Sequence, residues 1–197
     1  MISATTIRLD MRRARNALSP FQQQNNAAQL LNRLQKNPRI LRAKKIALSL
    51  THDAEIDTLP FIHWCWENGK KVYLPVIHPF SPKHLLFLEY QRHTPLQLNR
   101  YRIAEPQLNV LTICPFSQLD IVFTPLVAFD KQGRRLGMGG GFYDRMLSPW
   151  LKNKTGPYPI GLAHDCQRID TLPTNPWDVP QAEIFTPSAH YQFNNVS

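Results

Sequence analysis

Cysteine is rare in this chain: Cys65, Cys114 and Cys166 are the three in 197 residues, with no C-x-x-C pair and no histidine at zinc-ligand spacing. That scarcity excludes a disulfide framework and a structural zinc site, and it fits a reducing cytoplasm. Long apolar runs are missing too. None approaches the roughly 20 residues of a membrane span, and residues 1–19 scatter their arginines instead of placing them ahead of an apolar block. The sequence therefore predicts neither a transmembrane helix nor a signal peptide, and a soluble, cytoplasmic protein. Acidic residues are outnumbered, 14 Asp and Glu against 23 Lys and Arg, which leaves a formal net charge of +9. Such a balance favours anionic partners: nucleic acid, acidic membrane or small polyanions such as nucleotides. Nucleic acid is the weaker expectation, because no Lys/Arg-rich block occurs and the aromatics lack recognition-motif spacing. No Gly-Lys-Ser/Thr completes a Walker A loop, Phe142 stands where G-x-G-x-x-G needs its last glycine, and no G-x-S-x-G elbow is present. Those nucleotide folds and covalent catalysis are disfavoured accordingly.

What the chain does have is concentrated. The stretch from Gly133 to Arg145, GRRLGMGGGFYDR, holds five of the eight glycines. Glycines expose backbone N–H groups at close range and permit positive φ, and Arg134, Arg135 and Arg145 add fixed positive charge. A helix opening at Phe142 would aim further N–H groups at the same point, so the segment is expected to hold phosphates. Asp144 falls in the first turn of that helix, where it either complements the helix dipole or serves as a Mg²⁺ ligand beside substrate phosphates. Arg8 on a helix face and Glu55 in a loop after a strand read as solvent-facing charges by themselves, although ligand contacts in open α/β sheets gather beyond strand C-termini. His52-Asp53 and His164-Asp165 each follow an expected strand; lacking further ligands at suitable spacing, they read as polar loop groups rather than catalysts.

With 43% hydrophobic residues the chain can bury a core, and its length fits one domain over residues 1–197. Ile7, Met11, Ala14 and Leu18 share one helical face, with Arg8, Arg12 and Arg15 on another. Ser19-Pro20-Phe21-Gln22 supplies a capping box for a second helix from Pro20 to about Lys36, ended or interrupted by Asn37-Pro38. Ile46 to Leu50, a helix capped by Asp57 and reaching Asn68, Gly69, and Val72 to Ile77 form a parallel β-α-β unit. Further strands are expected at Leu85 to Tyr90, in the apolar run from Leu119 to Phe129, at Ile160 to Ala163 and at Ile184 to Thr186, with a short helix over Phe142 to Leu147. Between Pro79 and Gln118 the chain reads as loop and strand. The sum is a three-layer α/β/α sandwich with a mostly parallel central sheet.

The run Pro125-Leu126-Val127-Ala128-Phe129-Asp130, then Gly133 and the segment from Arg135 to Arg145, resembles the signature of the 5-formyltetrahydrofolate cyclo-ligase family, also called 5,10-methenyltetrahydrofolate synthetases. The N-terminal helix with its arginines, the Leu50 to Thr58 strand and loop, Glu105-Pro106 and the tail from Pro173 to Thr186 resemble family elements in the same order. The resemblance implies a three-layer fold and ATP-dependent, Mg²⁺-assisted closure of 5-formyltetrahydrofolate to the 5,10-methenyl form, a ligase of one-carbon metabolism. It implies ATP contacts at Arg8, Arg135, Leu136, Gly137, Met138, Gly139, Gly140, Gly141, Phe142 and Tyr143, with Arg135 and Tyr143 as the catalytic residues and Asp144 as the metal ligand. Folate contacts are implied at Leu50, Glu55, Met138, Gly139, Gly140, Gly141 and Phe142, with Phe142, Tyr143 or Tyr101 stacking on the pterin. Partners are these small molecules, with no membrane and no nucleic acid expected. Ala4 and Ala182 stand where many members carry a basic and an acidic residue. The first leaves an ATP contact unfilled or the start incomplete; the second leaves Asp178 or Glu183 to complete the metal site. A basic α/β module that binds nucleotide or RNA without turnover is the competing reading; RNA binding would not call for Asp144 amid the positive charge.

Overall fold

The computed structural model describes residues 3–81 and 83–193. The first helix, α1 (Ala4–Asn16), starts where the Ser3 hydroxyl accepts from the Thr6 N–H at 3.1 Å. It buries Ile7 against Ala128, Leu136 and Leu172. The expected capping box opens α2 (Pro20–Leu34): Ser19 Oγ accepts from Gln22 N–H, and Gln22 Oε1 accepts from Ser19 N–H. Asn37-Pro38 ends α2, as the sequence indicates, but it also starts α3 (Pro38–Arg42), because the Asn37 side chain accepts from the N–H groups of Arg39 and Ile40.

The β-α-β unit is present as β1 (Lys45–Ala47), α4 (Leu59–Glu67) and β2 (Lys71–Ile77), with β1 and β2 parallel. Strand β1 is shorter than expected, since the chain turns into the 48–58 loop. Helix α4 is capped at Thr58, one residue later than expected, yet Asp57 Oδ1 still accepts from Leu59 N–H at 3.0 Å. Gly69 follows the helix at φ +67°. Then come β3 (Leu85–Tyr90), the hairpin β4 (Leu96–Leu98) and β5 (Ala104–Pro106), β6 (Ile113–Cys114), β7 (Ile121–Pro125), and a second hairpin, β8 (Ala128–Phe129) with β9 (Arg135–Leu136). Helix α5 (Phe142–Asn153) runs on past the expected end at Leu147 with Pro149 inside it, and β10 (Tyr158–Leu162), β11 (Glu183–Phe185) and β12 (His190–Gln192) complete the chain.

Among the described residues the main sheet has the order β12-β11-β10-β7-β1-β2-β3-β6. Its centre from β11 to β2 is parallel, and antiparallel strands close both edges. Alternation along each strand divides the core. Ile46, Ile121 and Phe123 pack with Leu30, Leu34, Phe61 and Ile62 of α2 and α4. Their neighbours Ala47 and Val122 point to the other side and meet Leu147 and Trp150 of α5. This is a three-layer α/β/α sandwich with a mostly parallel sheet. The chain leaves β1 in one direction to β2, while β7, β10 and β11 extend the other way, so the strand order reverses between β1 and β7. In open α/β sheets the crevice beyond the strand C-termini at such a point is where ligands bind.

Candidate active site

Three loops converge at that crevice: 48–58 after β1, 126–141 after β7, and 163–168 after β10. The 126–141 stretch is built in two parts. Its first part is the β8/β9 hairpin, organised around the fully buried Asp130, whose carboxylate accepts from the backbone N–H of Gln132, Arg134 and Leu172 and from Arg134 Nε at 2.6 Å. Arg134 is thereby spent on the turn and is not a free phosphate ligand, contrary to the sequence reading. Gly133 also serves the turn: at φ +77°, an added Cβ would lie 2.6 Å from the Phe193 ring and 2.8 Å from the Gln181 carbonyl.

The second part, residues 137–141, leads into α5. Gly139 and Gly141 have φ of +103° and +62°, and Gly141 is the N-cap of α5. Loop amides and the helix N-terminus thus face one cleft of about 850 Å³. Arg8, Arg135, Gly137, Gly139, Gly140, Gly141, Asp144 and Arg145 line one side, and Pro173 to Val179 the other. Arg8 crosses from α1 and donates from Nε to the Gly137 carbonyl at 2.9 Å. Arg145 donates to the Gly140 carbonyl at 2.7 Å and to the Lys83 carbonyl at 3.1 Å, which pins the loop from the helix side. Arg135 is buried and donates to Asp144 Oδ1 at 2.7 Å and to the Val179 carbonyl. Burial works against its charge, while Asp144, Tyr143 and Asp178 favour it. Asp144 Oδ1 also accepts from Val179 N–H at 3.1 Å. Met138 is 63% exposed on the loop, and the Phe142 ring covers Gly140 so closely that a Cβ there would sit 2.6 Å from it.

Leu50 and Glu55 lie together in a neighbouring pocket of about 20 Å³ at the C-terminal ends of β1, β7 and β10, with Ser49, Thr124, Leu126 and Gln167. Tyr143, in the first turn of α5, is partly buried and feels charges from both sites. Its hydroxyl is pushed up by burial and by the Glu55 charge and drawn down by Arg135, so both charges act on it. Glu55 itself is pushed up to about 7, by burial first and by Asp53, against the pull of Arg15 and of the His52 backbone. The segment before it is unusual: Asp53 and Ala54 have φ of +53° and +55°. Asp53 accepts from Arg12 Nε at 2.8 Å and from Arg15 Nη2 at 3.1 Å. Arg15, placed on the polar face of α1 by its spacing, is in fact 1% exposed. Periodicity gave no signal for this; only the contact with a loop 38 residues away explains it.

The other sequence candidates fall outside this arrangement. Tyr101 is half exposed beneath Arg100, whose guanidinium lies 4.9 Å from the ring centre, and nothing among the described residues brings it to the glycine loop. His164 is buried and pairs with Asn26, its imidazole held low by burial and by Arg15; Asp165 accepts from the Ser188 hydroxyl. Neither lines the glycine-loop cleft, and His52 gives its carbonyl to Glu55 N–H. No group of three or more His, Cys, Asp or Glu side chains gathers as a metal site among the described residues. Two acids nevertheless border the cleft, Asp144 and Asp178. Ala182 is buried in the apolar cluster against α5, and Glu183 is taken up by His190 at 2.7 Å, with Asn37 and Arg39 beside it. Asp178 thus borders the cleft, whereas Glu183 is engaged elsewhere. No helix among the described residues is long and apolar enough to cross a membrane.

Comparison with known proteins bears on the whole chain. The sequence is 48% identical over 183 residues to the 5-formyltetrahydrofolate cyclo-ligase of Escherichia coli (strain K12), covering 93% of this chain and all of that one. It is also 48% identical over 182 residues to the Haemophilus influenzae cyclo-ligase, covering 90% of this chain and 94% of the relative. The fold matches the solved structure of the Aquifex aeolicus 5,10-methenyltetrahydrofolate synthetase with a TM-score of 0.82 at 23% identity, over 98% of this chain and 94% of that one. A profile of the 5-formyltetrahydrofolate cyclo-ligase family matches residues 1–187, and the chain belongs to that family.

Proposed function

We propose that this protein closes the ring of 5-formyltetrahydrofolate to 5,10-methenyltetrahydrofolate at the expense of ATP, releasing ADP and phosphate. The formyl oxygen is amide-like and leaves poorly. Transfer of the ATP γ-phosphoryl group to it makes an iminium phosphate, which the N10 amine of the same folate attacks. N10 loses its proton, and the formyl oxygen departs with phosphate. No protein nucleophile is required; the reactants need alignment and stabilised charge. Supporting this reading is one observation above the rest: the glycine loop, its helix N-terminus, Arg8 and Arg135 line one roomy cleft together with Asp144 and Asp178.

In this scheme the amides of residues 137–141 and the N-terminus of α5 cradle the triphosphate, with Arg8 alongside. Arg135 steadies the transferring group, braced by Asp144 and the Val179 carbonyl. Tyr143 holds a neutral hydroxyl between the two substrates. Asp144 and Asp178 suit Mg²⁺, which is commonly held by one or two carboxylates plus phosphate oxygens; bound there, the ion would neutralise phosphate charge. The pocket at Leu50 and Glu55 has room for about one water, so the pterin lies across its mouth with Glu55 accepting from ring N–H groups. Purified protein given Mg-ATP and 5-formyltetrahydrofolate is expected to develop the methenyl absorbance only when ATP is present. Lack of product at saturating substrates, together with salt-sensitive RNA binding, would put a binding module in its place.

A further inference from the structure

The Arg15 guanidinium is a deeply buried charge near the site, and it does not line the glycine-loop cleft. It is 1% exposed, donates from Nη2 to Asp53 at 3.1 Å, and carries Nη1 to 3.7 Å from Glu55 Oε1. That second approach is too long for a hydrogen bond, and Nε and Nη1 have no hydrogen-bond partner among the described residues. Burying donors without partners is costly, so the arrangement needs a compensating reason. The residues between the two carboxylates supply one: Asp53 and Ala54 hold a left-handed backbone without glycine, a conformation that persists only when surrounding contacts impose it.

We propose that Arg15 is a positioning residue for folate: from α1 it hydrogen-bonds Asp53 and forms an ion pair with Glu55 at 3.7 Å, and this clasp on the Asp53-Ala54-Glu55 segment sets where Glu55 meets the pterin. This rests on the reading of Glu55 as a folate contact. The groups facing Glu55 are few. Arg15 approaches from α1, Asp53 from its own loop with Arg12 behind it, and Tyr143 from α5; His164, after β10, lies against the backbone of Ala54 and Glu55. Among the described residues, Arg15 is the cation that opposes burial at Glu55, which is pushed up to about 7. An ionised Glu55 accepts from pterin N–H groups and a protonated one accepts less well, so folate KM should rise as pH falls through about 7. Without the Arg15 charge the carboxyl holds its proton to higher pH, and that limb moves upward.

The test is folate KM across the neutral range at saturating Mg-ATP, with the ATP-free background subtracted, for the wild type, Arg15→Lys and Arg15→Met. Arg15→Lys keeps the charge but cannot fork between two carboxylates, so KM for folate should rise on the order of tenfold, as for one lost charged hydrogen-bond partner, while the pH limb stays in place. Arg15→Met should raise KM and also move the limb to higher pH. KM for ATP should stay near wild type in both. If Arg15→Met does not fold, Arg15→Lys still decides the point. A wild-type folate KM in Arg15→Lys, or an unmoved pH limb in folded Arg15→Met, overturns the clasp while leaving the cyclo-ligase reading intact. Absence of wild-type turnover overturns that reading instead.

Discussion

Two segments of the site adopt left-handed backbone by opposite means. Residues 137–141 do it with glycine, at Gly139 and Gly141, where positive φ costs little and the amides stay bare for a ligand. Residues 53 and 54 do it with Asp53 and Ala54, against steric preference, and α1 arginines hold them in place. The first segment is permissive and faces an open cleft; the second is coerced and faces a pocket with room for about one water. On the proposed function, the triphosphate would meet many weak donors able to adjust, whereas the flat ring with fixed N–H groups would meet a single acceptor in one place. The contrast suggests why one site carries its instructions in composition and the other in tertiary contacts.

The largest effect should come from Arg135→Ala. Loss of a preorganised cation at the transferring group is expected to lower kcat/KM by about 10²-fold or more, and Asp144 would lose its partner as well. Near-wild-type turnover would remove Arg135 from that role. Next, Gly140→Ala would force a Cβ to 2.6 Å from the Phe142 ring. A shift of about 1 Å in a positioning group can cost up to about 10²-fold, so kcat/KM should fall by one to two orders of magnitude with the thermal midpoint little changed. If activity survives, the loop adapts more than its packing implies. Asp144→Asn should raise the Mg²⁺ concentration needed for half-maximal rate several-fold; an unchanged Mg²⁺ titration would exclude it as a ligand.

The smallest effect tests the coerced segment. Ala54→Gly relieves a left-handed alanine, worth about 1–2 kcal/mol, but adds unfolded-state entropy of roughly 0.5–1 kcal/mol. A gain of up to about 1.5 kcal/mol should remain, at about 2–4 °C in Tm per kcal/mol for a chain of this size, and folate KM should rise as the loop loosens. A lower Tm would show that the backbone at residue 54 is not strained.

What could be read from the sequence was what is encoded locally. The capping box at Ser19 and Gln22, the β1-α4-β2 unit and the glycine loop each depend on neighbours within a few residues. What stayed hidden depends on distant partners. Helix α3 was missed because Asn37-Pro38 reads equally well as a stop and as a start. Strand β12 was missed because it is a short polar edge strand whose place comes from pairing with β11. Arg134 looked like its neighbour Arg135 until the buried Asp130 claimed it. Arg15 lies on the same helical stripe as Arg8 and Arg12, and nothing in the pattern separates the exposed Arg12 or the half-buried Arg8 from the buried Arg15. Glu183 and Asp178 were equivalent candidates until the sheet turned the first toward His190 and the tail carried the second into the cleft.

Helix α1 bears Arg8 at the glycine loop and Arg15 at the Asp53–Glu55 segment, two turns further along one face. Seven residues of α-helix span roughly 10 Å and make nearly whole turns. The spacing between the glycine loop and the Asp53–Glu55 segment is therefore gauged by a rigid rod rather than by loops. Inserting or deleting a single residue between the two arginines would swing one of them about 100° away, and the two segments would lose their common yardstick together.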